Sequence, residues 1–266
     1  MTSTAVGPGA LGAASFANGA PHFNGWVQAP STLVVETIAR AGFASVTLDA
    51  QHGFATFDRI VEGIAAAALA ARPALVRLPL DGFSLAAQAL DAGAAGVIAP
   101  MIDDAAMARA LVAAVKFPPT GRRSWGPNRG LSFSGLSRDG YLAEANRRTL
   151  ALAMIETAEA LAALDDILAV DGLDGVLIGP NDLSVALSGG VAVDPDHPAV
   201  IEALDAIVAA ARRAKKPAAI FANTPAFAAD YVRRGFSFVC LGPDLAFLQQ
   251  GAARALAEVG EASGRP

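Results

Sequence analysis

Residues 45–79 read SVTLDAQHGFATFDRIVEGIAAAALAARPALVRLP, and this stretch decides the fold. A short β-rich apolar run at 45–49 is followed by an amphipathic segment at 57–71 and a second apolar run at 74–79. Short apolar runs bounded by Gly, Pro or polar residues are typical of buried parallel strands. The stretch therefore predicts a strand, a helix and a second strand of a parallel α/β fold.

The same alternation continues along the chain. Further strands are predicted at residues 24–28, 96–100, 151–155, 175–178, 217–221 and 236–241. Further helices are predicted at 32–41, 85–92, 104–115, 158–169, 198–214 and 225–234, with a last amphipathic helix at 245–256. Eight strands alternating with helices over about 250 residues predict a (β/α)₈ TIM barrel. A doubly wound open sheet is the alternative, but the Gly-rich phosphate turn usual after its first strand is missing.

Three stretches depart from this alternation. Residues 1–20, rich in Gly, Ala, Ser and Thr, are expected to form a flexible arm, which leaves residues 21–266 as one barrel domain with a C-terminal helix. Residues 116–140 contain four arginines among Gly, Ser and Pro and are predicted to form a long irregular loop, of a kind that is usually functional or flexible. Residues 188–198 form a second insertion.

The composition describes a globular protein with a large core. Apolar residues make up 53% of the 266 residues and charged residues 17%, which argues against disorder. The net charge of −5, without a basic cluster, argues against nucleic acid as a partner. Gly, Pro and charges interrupt every apolar run before the ~18 residues that a membrane-spanning helix needs, so no membrane partner is expected.

The single cysteine and two of the three histidines are expected to be structural. Cys240 lies in an apolar run and has neither a second cysteine nor a zinc-type spacing around it, so we predict a buried strand residue in a reducing, cytoplasmic setting. His22 and His197 have no partner pattern and are expected at the surface.

Polar side chains follow several of the predicted strands. The active site of a (β/α)₈ barrel lies at the carboxyl ends of its strands, and Trp26 comes from the first of them. The polar groups at the other strand ends are Asp49 and His52, Arg77, Glu156, and Asn181 with Asp182. These side chains are expected to converge around one mouth of the barrel.

This set of residues is suited to metal-assisted chemistry. Two carboxylates, Glu156 and Asp182, indicate a hard divalent cation such as Mg²⁺ or Mn²⁺, with positions left open for water and a chelating 2-oxo acid. Arg77 is placed to stabilise the enolate oxygen that forms when a C3 proton leaves. His52 is the best group to move protons near neutral pH. Asp49 is as well suited to orienting a neighbour as to acting chemically.

An aldolase that forms an enolate can use a metal, as above, or a lysine that makes a Schiff base with the substrate. The chain has only Lys116, Lys215 and Lys216, and none lies at the carboxyl end of a predicted strand. The last two immediately precede the seventh strand, at the opposite face of the barrel. This absence favours the metal-dependent class.

Each residue also has a structural interpretation. Glu156 and Asp182 can simply begin the helices that follow them, where acidic residues are favoured. Arg77 can belong to a buried ion pair, and His52 can be a loop histidine with satisfied hydrogen bonds. The structural interpretation does not explain why all four occur together at the strand ends.

The sequence resembles the HpcH/HpaI aldolase family from about residue 24 to residue 248. The family comprises class II pyruvate aldolases of the phosphoenolpyruvate/pyruvate-type barrel superfamily, including 4-hydroxy-2-oxoheptanedioate and 2-keto-3-deoxy sugar acid aldolases. The motifs that carry the resemblance are, in order, LDAQHG (48–53), VRLP (76–79), LDAGA (90–94), PPTGRR (118–123), MIET (154–157) and GPNDLS (179–184).

The resemblance implies roles for individual residues. Glu156 and Asp182 match the metal ligands, with Mg²⁺ or Mn²⁺ expected and Co²⁺ or Zn²⁺ as further candidates. Arg77 matches the arginine on the keto or enolate oxygen, His52 the catalytic histidine, and Asp49 the acid close to it. The segment that binds the 2-oxo acid matches Gly179, Pro180, Asn181 and Asp182.

The resemblance also implies an assembly. The family is typically hexameric, as a dimer of trimers, and Asp91 matches an aspartate that pairs with the catalytic histidine. Asp91 falls at the end of the helix after the third strand, opposite His52 in its own barrel. Such a pair therefore has to form across a subunit interface, whereas an exposed helix-end aspartate is the structural alternative.

Two positions depart from the family pattern. Met154 stands where characterised members often have Gln, and Gln51 stands where many have Glu. Both concern the preference for the 2-oxo acid donor, pyruvate or hydroxypyruvate, rather than the reaction class.

The sequence thus predicts a metal-dependent aldolase that cleaves 4-hydroxy-2-oxo acids reversibly to pyruvate, or hydroxypyruvate, and an aldehyde. A CoA-thioester lyase of the malyl-CoA or citrate lyase type is the alternative. It requires a basic pocket for the CoA phosphates, for which the arginines from Arg122 to Arg138 are the only candidates. A catalytically inactive barrel is a third hypothesis, and it leaves the intact set of polar residues unexplained.

Overall fold

A computed structural model describes residues 11–16 and 20–263, and these contain a closed barrel of eight parallel strands. The strands are β1 (His22–Val27), β2 (Ser45–Asp49), β3 (Ala74–Arg77), β4 (Gly96–Ala99), β5 (Leu150–Ile155), β6 (Gly175–Ile178), β7 (Ala218–Ala222) and β8 (Phe238–Leu241). Each strand pairs with the next, and β8 closes the barrel against β1. The (β/α)₈ prediction is confirmed, with strand limits within about two residues of those expected.

Helices surround the barrel in chain order. They are α1 (Thr32–Arg40), α2 (Phe57–Leu69), α3 (Phe83–Asp91), α4 (Ala105–Val115), α5 (Asn128–Ser134), α6 (Arg138–Arg148), α7 (Ala158–Ala162), α8 (Leu164–Leu168), α9 (Pro180–Leu187), α10 (Pro198–Arg213), α11 (Pro225–Arg234) and α12 (Asp244–Ser263). Several start at a side-chain cap that accepts a hydrogen bond from the N–H three residues later: Ser31, Asp104, Thr157 and Thr224. Across the described ranges, no helix is long and apolar enough to cross a membrane.

The predicted irregular loop at 116–140 is wrong in part, because it contains α5 and the start of α6. Helix α6 begins at a cap in which Ser137 accepts from the Gly140 N–H at 3.2 Å. Only Ala145 of α6 is buried, so this polar helix lacks the apolar periodicity by which the other helices are recognised. Two further differences are smaller: the helix predicted at 158–169 is divided at Ala163, and α9 was not predicted.

The barrel interior follows the two-residue alternation of its strands. Apolar side chains fill most of it: Leu75, Ile98, Leu152, Met154, Leu177, Ala219, Phe238 and Cys240. Cys240 is fully buried in β8, as predicted. Strands β1 and β2 instead contribute polar groups, with Asn24 donating to Ser45 Oγ at 2.7 Å.

The expectation that His22 is a surface residue is wrong. Its Nε2 lies 2.7 Å from Ser45 Oγ, and its ring stacks on Phe238 with 4.8 Å between centroids. The first residue of β1 has its side chain on the same face as Asn24, so the alternation directs His22 into the barrel. His197 is exposed, as expected, and caps α10 by accepting from the Ala199 N–H.

Residues 11–16 pack over the amino-terminal end of the barrel, whereas the sequence suggested a loose arm there. Leu11 and Phe16 are buried, and Phe16 contacts His22 and Phe238 edge to face. The Leu11 N–H donates to the Arg148 carbonyl at 3.0 Å. The rest of the predicted arm, residues 1–10 and 17–19, lies outside the described residues.

Lys116 also lies at the amino-terminal end of the barrel, which we call the closed end. Its ammonium is buried and lies 2.6 Å from the Asp174 carboxylate, and it donates to the carbonyls of Asn146 and Thr149. Asp174 and Thr149 directly precede β6 and β5, so the lysine joins the amino ends of neighbouring strands. A buried charge needs such partners, and they leave Lys116 no role at the open end.

We expect the stability of the protein to depend on pH through His22. Burial lowers the pKa of His22 to about 4 from the usual 6.5. The unfolded chain therefore takes up a proton at this residue before the folded chain does, and stability falls as the pH drops from about 6.5 towards 4, by at most about 3 kcal/mol. Urea unfolding across this pH range checks the expectation.

The His22→Gln variant should show a flatter loss of stability between pH 6.5 and pH 4. The exposed His197→Gln variant is the matched control and should keep the wild-type slope. An equal slope in the His22→Gln variant and the wild type contradicts the prediction.

Candidate active site

The predicted site residues other than Asp91 converge at the open, carboxyl-terminal end of the barrel. Because alternate strand residues face the same side, Trp26, Asp49, Arg77 and Glu156 continue the interior rows of β1, β2, β3 and β5. A cavity of about 140 Å³ opens there. Its lining residues are Trp26, Gln28, His52, Arg77, Met154, Glu156, Gly179, Pro180, Asn181, Asp182 and Phe221.

Asp49 connects the ends of the first three strands. Its carboxylate accepts from Arg77 Nε at 2.9 Å and Arg77 Nη2 at 2.6 Å, and from Trp26 Nε1 at 3.2 Å. The Arg77 guanidinium carbon lies 4.9 Å from the centre of the Trp26 ring, a favourable cation–π distance. The structural interpretation of Arg77 as a buried ion pair is therefore correct, but the same side chain also lines the cavity.

The same carboxylate holds the turn that carries His52. The backbone N–H groups of Gln51 and His52 donate to Asp49 Oδ1 at 3.0 and 3.1 Å. Burial alone raises the pKa of Asp49, but the hydrogen bonds and charge of Arg77, with smaller contributions from His52 and Trp26, outweigh it and lower the pKa. Asp49 is thus held as a carboxylate, which suits it to orienting Arg77 and His52.

Glu156 is the buried carboxylate of the cavity. It is 3% exposed, and its Oε2 accepts from the Met101 N–H at 3.0 Å. Met101 adopts a φ of 53°, in the left-handed region that non-glycine residues rarely occupy. Gly179 borders the other oxygen, since a Cβ at this position would lie 2.5 Å from Glu156 Oε1.

The electrostatics of Glu156 fit a bound cation. Burial raises the pKa of Glu156 to about 7; the Met101 N–H lowers the pKa, and the neighbouring Asp182 carboxylate raises it. A divalent cation between the two carboxylates would relieve both the burial and the repulsion. Oxygen donors of this kind suit a hard cation. The residues present therefore fit the predicted divalent metal.

The interpretation of both acids as helix starts holds for one of them only. Asp182 lies in the first turn of α9, but Glu156 precedes Thr157, the cap of α7, and is buried. Residues 11–16 and 20–263 contain no group of three or more His, Cys, Asp or Glu that could hold a metal. Two carboxylates alone leave the remaining coordination positions to water or substrate.

Two lining residues were not singled out from the sequence. Gln28 and Phe221 follow Trp26 and Ala219 by two positions, so strand alternation was the available signal. Phe221 contacts Trp26 edge to face at 5.3 Å between centroids. Asn181 exchanges side-chain hydrogen bonds with Asn223, at 2.8 and 3.3 Å.

The two departures from the family pattern differ in position. Met154 is buried and lines the cavity, so this part of the wall is apolar. Gln51 does not line the cavity, and its Oε1 is buried without a hydrogen-bond partner in the part of the chain that the structure describes.

The structure does not bring Asp91 to His52 within one chain. Asp91 is the last residue of α3, at the closed end, where it accepts from Arg123 Nη2 at 2.7 Å. Arg123 is buried and stacks over Phe117. Arg123, in the segment between α4 and β5, is therefore held away from the cavity of its own chain.

None of the three lysines lines the cavity. Lys216 donates to the carbonyls of Leu168 and Val170, and Lys215 follows the end of α10, ahead of β7. With Lys116 bound to Asp174, all three lysines lie towards the closed end, which was predicted for Lys215 and Lys216, and none stands at the carboxyl end of a strand.

Known proteins resemble this chain over most of its length. A family model described as HpcH/HpaI aldolase/citrate lyase matches residues 23–250. The hydroxypyruvate/pyruvate aldolase of Rhizorhabdus wittichii is 40% identical, covering 90% of this chain and 94% of the relative. The 4-hydroxy-2-oxo-heptane-1,7-dioate aldolase of Salmonella arizonae is 34% identical, covering 91% of both. A crystal structure of an HpcH/HpaI aldolase/citrate lyase family protein from Burkholderia cenocepacia superposes with a TM-score of 0.83 at 29% identity, covering 91% of this chain and 95% of the other.

We expect Gly179→Ala to weaken divalent-metal binding by about tenfold or more. The added Cβ would approach Glu156 Oε1 to 2.5 Å and would force the carboxylate out of position. A Mn²⁺ titration of the folded protein measures the effect. Gly251→Ala is the matched control, because a Cβ there meets nothing within 4 Å. Unchanged Mn²⁺ affinity in Gly179→Ala contradicts the placement of Glu156 at the metal.

Proposed function

The chain belongs to the HpcH/HpaI aldolase/citrate lyase family, and we propose that it is a divalent-metal-dependent aldolase that cleaves 4-hydroxy-2-oxo acids reversibly to pyruvate or hydroxypyruvate and an aldehyde. The observation that carries the proposal is the convergence of Glu156, Asp182 and Arg77 on one cavity that no lysine lines. The names of the two relatives, a hydroxypyruvate/pyruvate aldolase and a 4-hydroxy-2-oxo acid aldolase, support the same substrate class.

Glu156 and Asp182 are the residues that would hold the metal, with Mg²⁺ or Mn²⁺ as the first candidates and Co²⁺ or Zn²⁺ after them. When bound, the cation supplies Lewis-acid polarisation of the keto group. The start of α9, at Gly179, Pro180 and Asn181, lines the cavity and offers its backbone to the carboxylate of the 2-oxo acid, since the positive end of the helix dipole favours an anion there.

Arg77 acts on the charge that develops during the reaction. In the cleavage direction a proton leaves the C4 hydroxyl, the C3–C4 bond breaks, and the electron pair passes to the 2-oxo acid fragment as an enolate. The guanidinium, already fixed by Asp49, donates hydrogen bonds to the enolate oxygen without reorganising. Trp26 covers one face of Arg77 and limits access of water to it.

His52 moves the protons. It lies at the cavity, and the Asp49 carboxylate fixes its backbone N–H. His52, or a water it activates, takes the hydroxyl proton as the C3–C4 bond breaks, and the proton is then returned to C3 of the enolate. The aldehyde leaves first, and the 2-oxo acid is released after protonation.

A second subunit completes the proposed site. We infer a homo-oligomer, with a hexamer as the expected form, in which Asp91 of one chain supports His52 of another. Asp91 lies at the closed end of its own barrel, so only a second copy can supply it. A cytoplasmic location is part of the same proposal, supported by the single, buried Cys240.

The alternative of a CoA-thioester lyase has less support. Arg123 is paired with Asp91, and Arg129 donates to the Val61 carbonyl. Neither arginine lines the cavity that holds Glu156 in its own chain. They are therefore poorly placed for the phosphates of a CoA substrate.

Removal of the metal should abolish aldol cleavage. Treatment with EDTA is expected to stop the release of pyruvate from a 4-hydroxy-2-oxo acid, and Mg²⁺ or Mn²⁺ to restore it. Borohydride in the presence of pyruvate should leave the activity intact, because no lysine is available for a Schiff base. Activity that survives EDTA and is lost with borohydride overturns the proposal.

Glu156→Gln should reduce turnover and metal affinity together, each by about 100-fold or more. The amide keeps the size of the side chain but removes its charge. Glu159→Gln, on the exposed first turn of α7, is the matched control and should behave as wild type. Steady-state cleavage rates and Mn²⁺ titration measure both variants. Near-wild-type rates in Glu156→Gln exclude it from the site.

A further inference from the structure

The part of the cavity wall that follows β1 contains the side-chain amide of Gln28, which is available to a ligand. Strands β1 and β5 lie four strands apart, on opposite sides of the barrel, so Gln28 after β1 faces the Glu156 side. Gln28 lines the cavity, and its side chain has no hydrogen bond within residues 11–16 and 20–263. The other cavity amide, Asn181, is already paired with Asn223. Gln28 is thus the neutral donor and acceptor that remains for a ligand.

The backbone of Gln28 is fixed from two directions. Its N–H donates to Asp244 Oδ1 at 2.8 Å, and the N–H of Ala29 donates to Asp244 Oδ2 at 3.2 Å. Its carbonyl accepts from the Phe54 N–H at 2.7 Å, two residues after His52. The loop that presents Gln28 is therefore tied both to the start of α12 and to the turn that carries His52.

Asp244 serves this loop rather than its own helix. It is the first residue of α12 and is 5% exposed. The N–H groups of Ala246 and Phe247 bond to the Pro243 carbonyl, while both Asp244 oxygens turn to the loop after β1. No Arg or Lys pairs with Asp244 in the described part of the chain. Burying a carboxylate without a cation is costly, so its two backbone hydrogen bonds mark a specific positioning role.

The charges around the cavity restrict the ligand that Gln28 can meet. Arg77 is the only Arg or Lys in the lining, and Asp49 already engages it through two hydrogen bonds. Glu156 and Asp182 add negative charge. A second carboxylate, on the aldehyde, finds no further Arg or Lys among the residues of one chain that line the cavity. Apart from His52, Asn181, Gln28 and Gly179, the remaining lining residues are apolar: Trp26, Met154, Pro180 and Phe221.

We propose that Gln28, positioned by Asp244, binds a hydroxyl group of the acceptor aldehyde, and that the enzyme favours short neutral hydroxyaldehydes over semialdehydes that carry a carboxylate. Gln28 donates or accepts one hydrogen bond to the hydroxyl next to the reacting carbonyl. Asp244 acts through Gln28 and does not touch the substrate. This inference rests on the aldolase function proposed above.

The test compares aldehydes in aldol addition to pyruvate, with metal present. Glycolaldehyde carries the hydroxyl, propanal replaces it by a methyl of similar size, and succinic semialdehyde carries a carboxylate. The wild type should give a higher kcat/KM for glycolaldehyde than for either of the others. In Gln28→Leu the ratio of glycolaldehyde to propanal should fall about three- to tenfold, mainly through the KM for glycolaldehyde, since one hydrogen bond is lost.

Asp244→Asn should lower the same ratio, and the double variant Gln28→Leu/Asp244→Asn should lower it no further than Gln28→Leu alone, because the two residues act in series. Asp174→Asn is the matched control. It alters another largely buried carboxylate that accepts a backbone N–H, but at the closed end. It should lower the melting temperature without changing the ratio.

The outcomes separate this inference from the proposed function. An active wild type whose ratio is unchanged in Gln28→Leu, or that prefers succinic semialdehyde, overturns the inference and leaves the aldolase function intact. Additive losses in the double variant overturn the positioning role of Asp244. If Asp244→Asn does not fold, Gln28→Leu still decides whether the amide binds the hydroxyl. A wild type without aldol addition to any of the aldehydes overturns the proposed function and this inference together.

Discussion

The buried ion pair between Asp49 and Arg77 is the interaction on which the site depends. Asp49 is fully buried and accepts five hydrogen bonds, two from Arg77, one from Trp26 and two from the backbone of the His52 turn. A buried ion pair of this kind contributes little net stability, because desolvation offsets the attraction between the charges. Its consequence is geometric: it fixes the guanidinium, the indole and the histidine turn at the ends of three adjacent strands.

The carboxylates on the other side of the barrel complement this cationic group. Glu156 is held by the Met101 N–H and bordered by Gly179, and it lies near the exposed Asp182. Without a cation, burial and repulsion disfavour the ionised form of Glu156. A cation held by Glu156 and Asp182 would add positive charge to a cavity that Arg77 also lines. Such an arrangement is suited to an enolate, whose negative charge develops as the C3–C4 bond breaks.

The sequence predicted the barrel and the location of the site because both follow from local patterns. Strand alternation places Glu156 two residues after Met154 and Arg77 two after Leu75, so side chains at strand ends can be assigned to the interior. Contacts between distant residues were not accessible in this way. The polar helix α6 has almost no buried face, His22 is partly buried against Phe16 and Phe238, and Asp244 accepts from the Gln28 N–H across 216 positions of the chain.

Exchange of the pyruvate methyl protons with D₂O, followed by NMR without any aldehyde, isolates enolate formation and tests the role of the ion pair most directly. The account predicts rapid exchange in the wild type with Mg²⁺ or Mn²⁺. It predicts exchange slowed by roughly 100-fold or more in Asp49→Asn, with Mn²⁺ affinity retained, because Arg77 and His52 lose their common anchor while Glu156 and Asp182 are untouched. Wild-type exchange rates in Asp49→Asn would contradict the account.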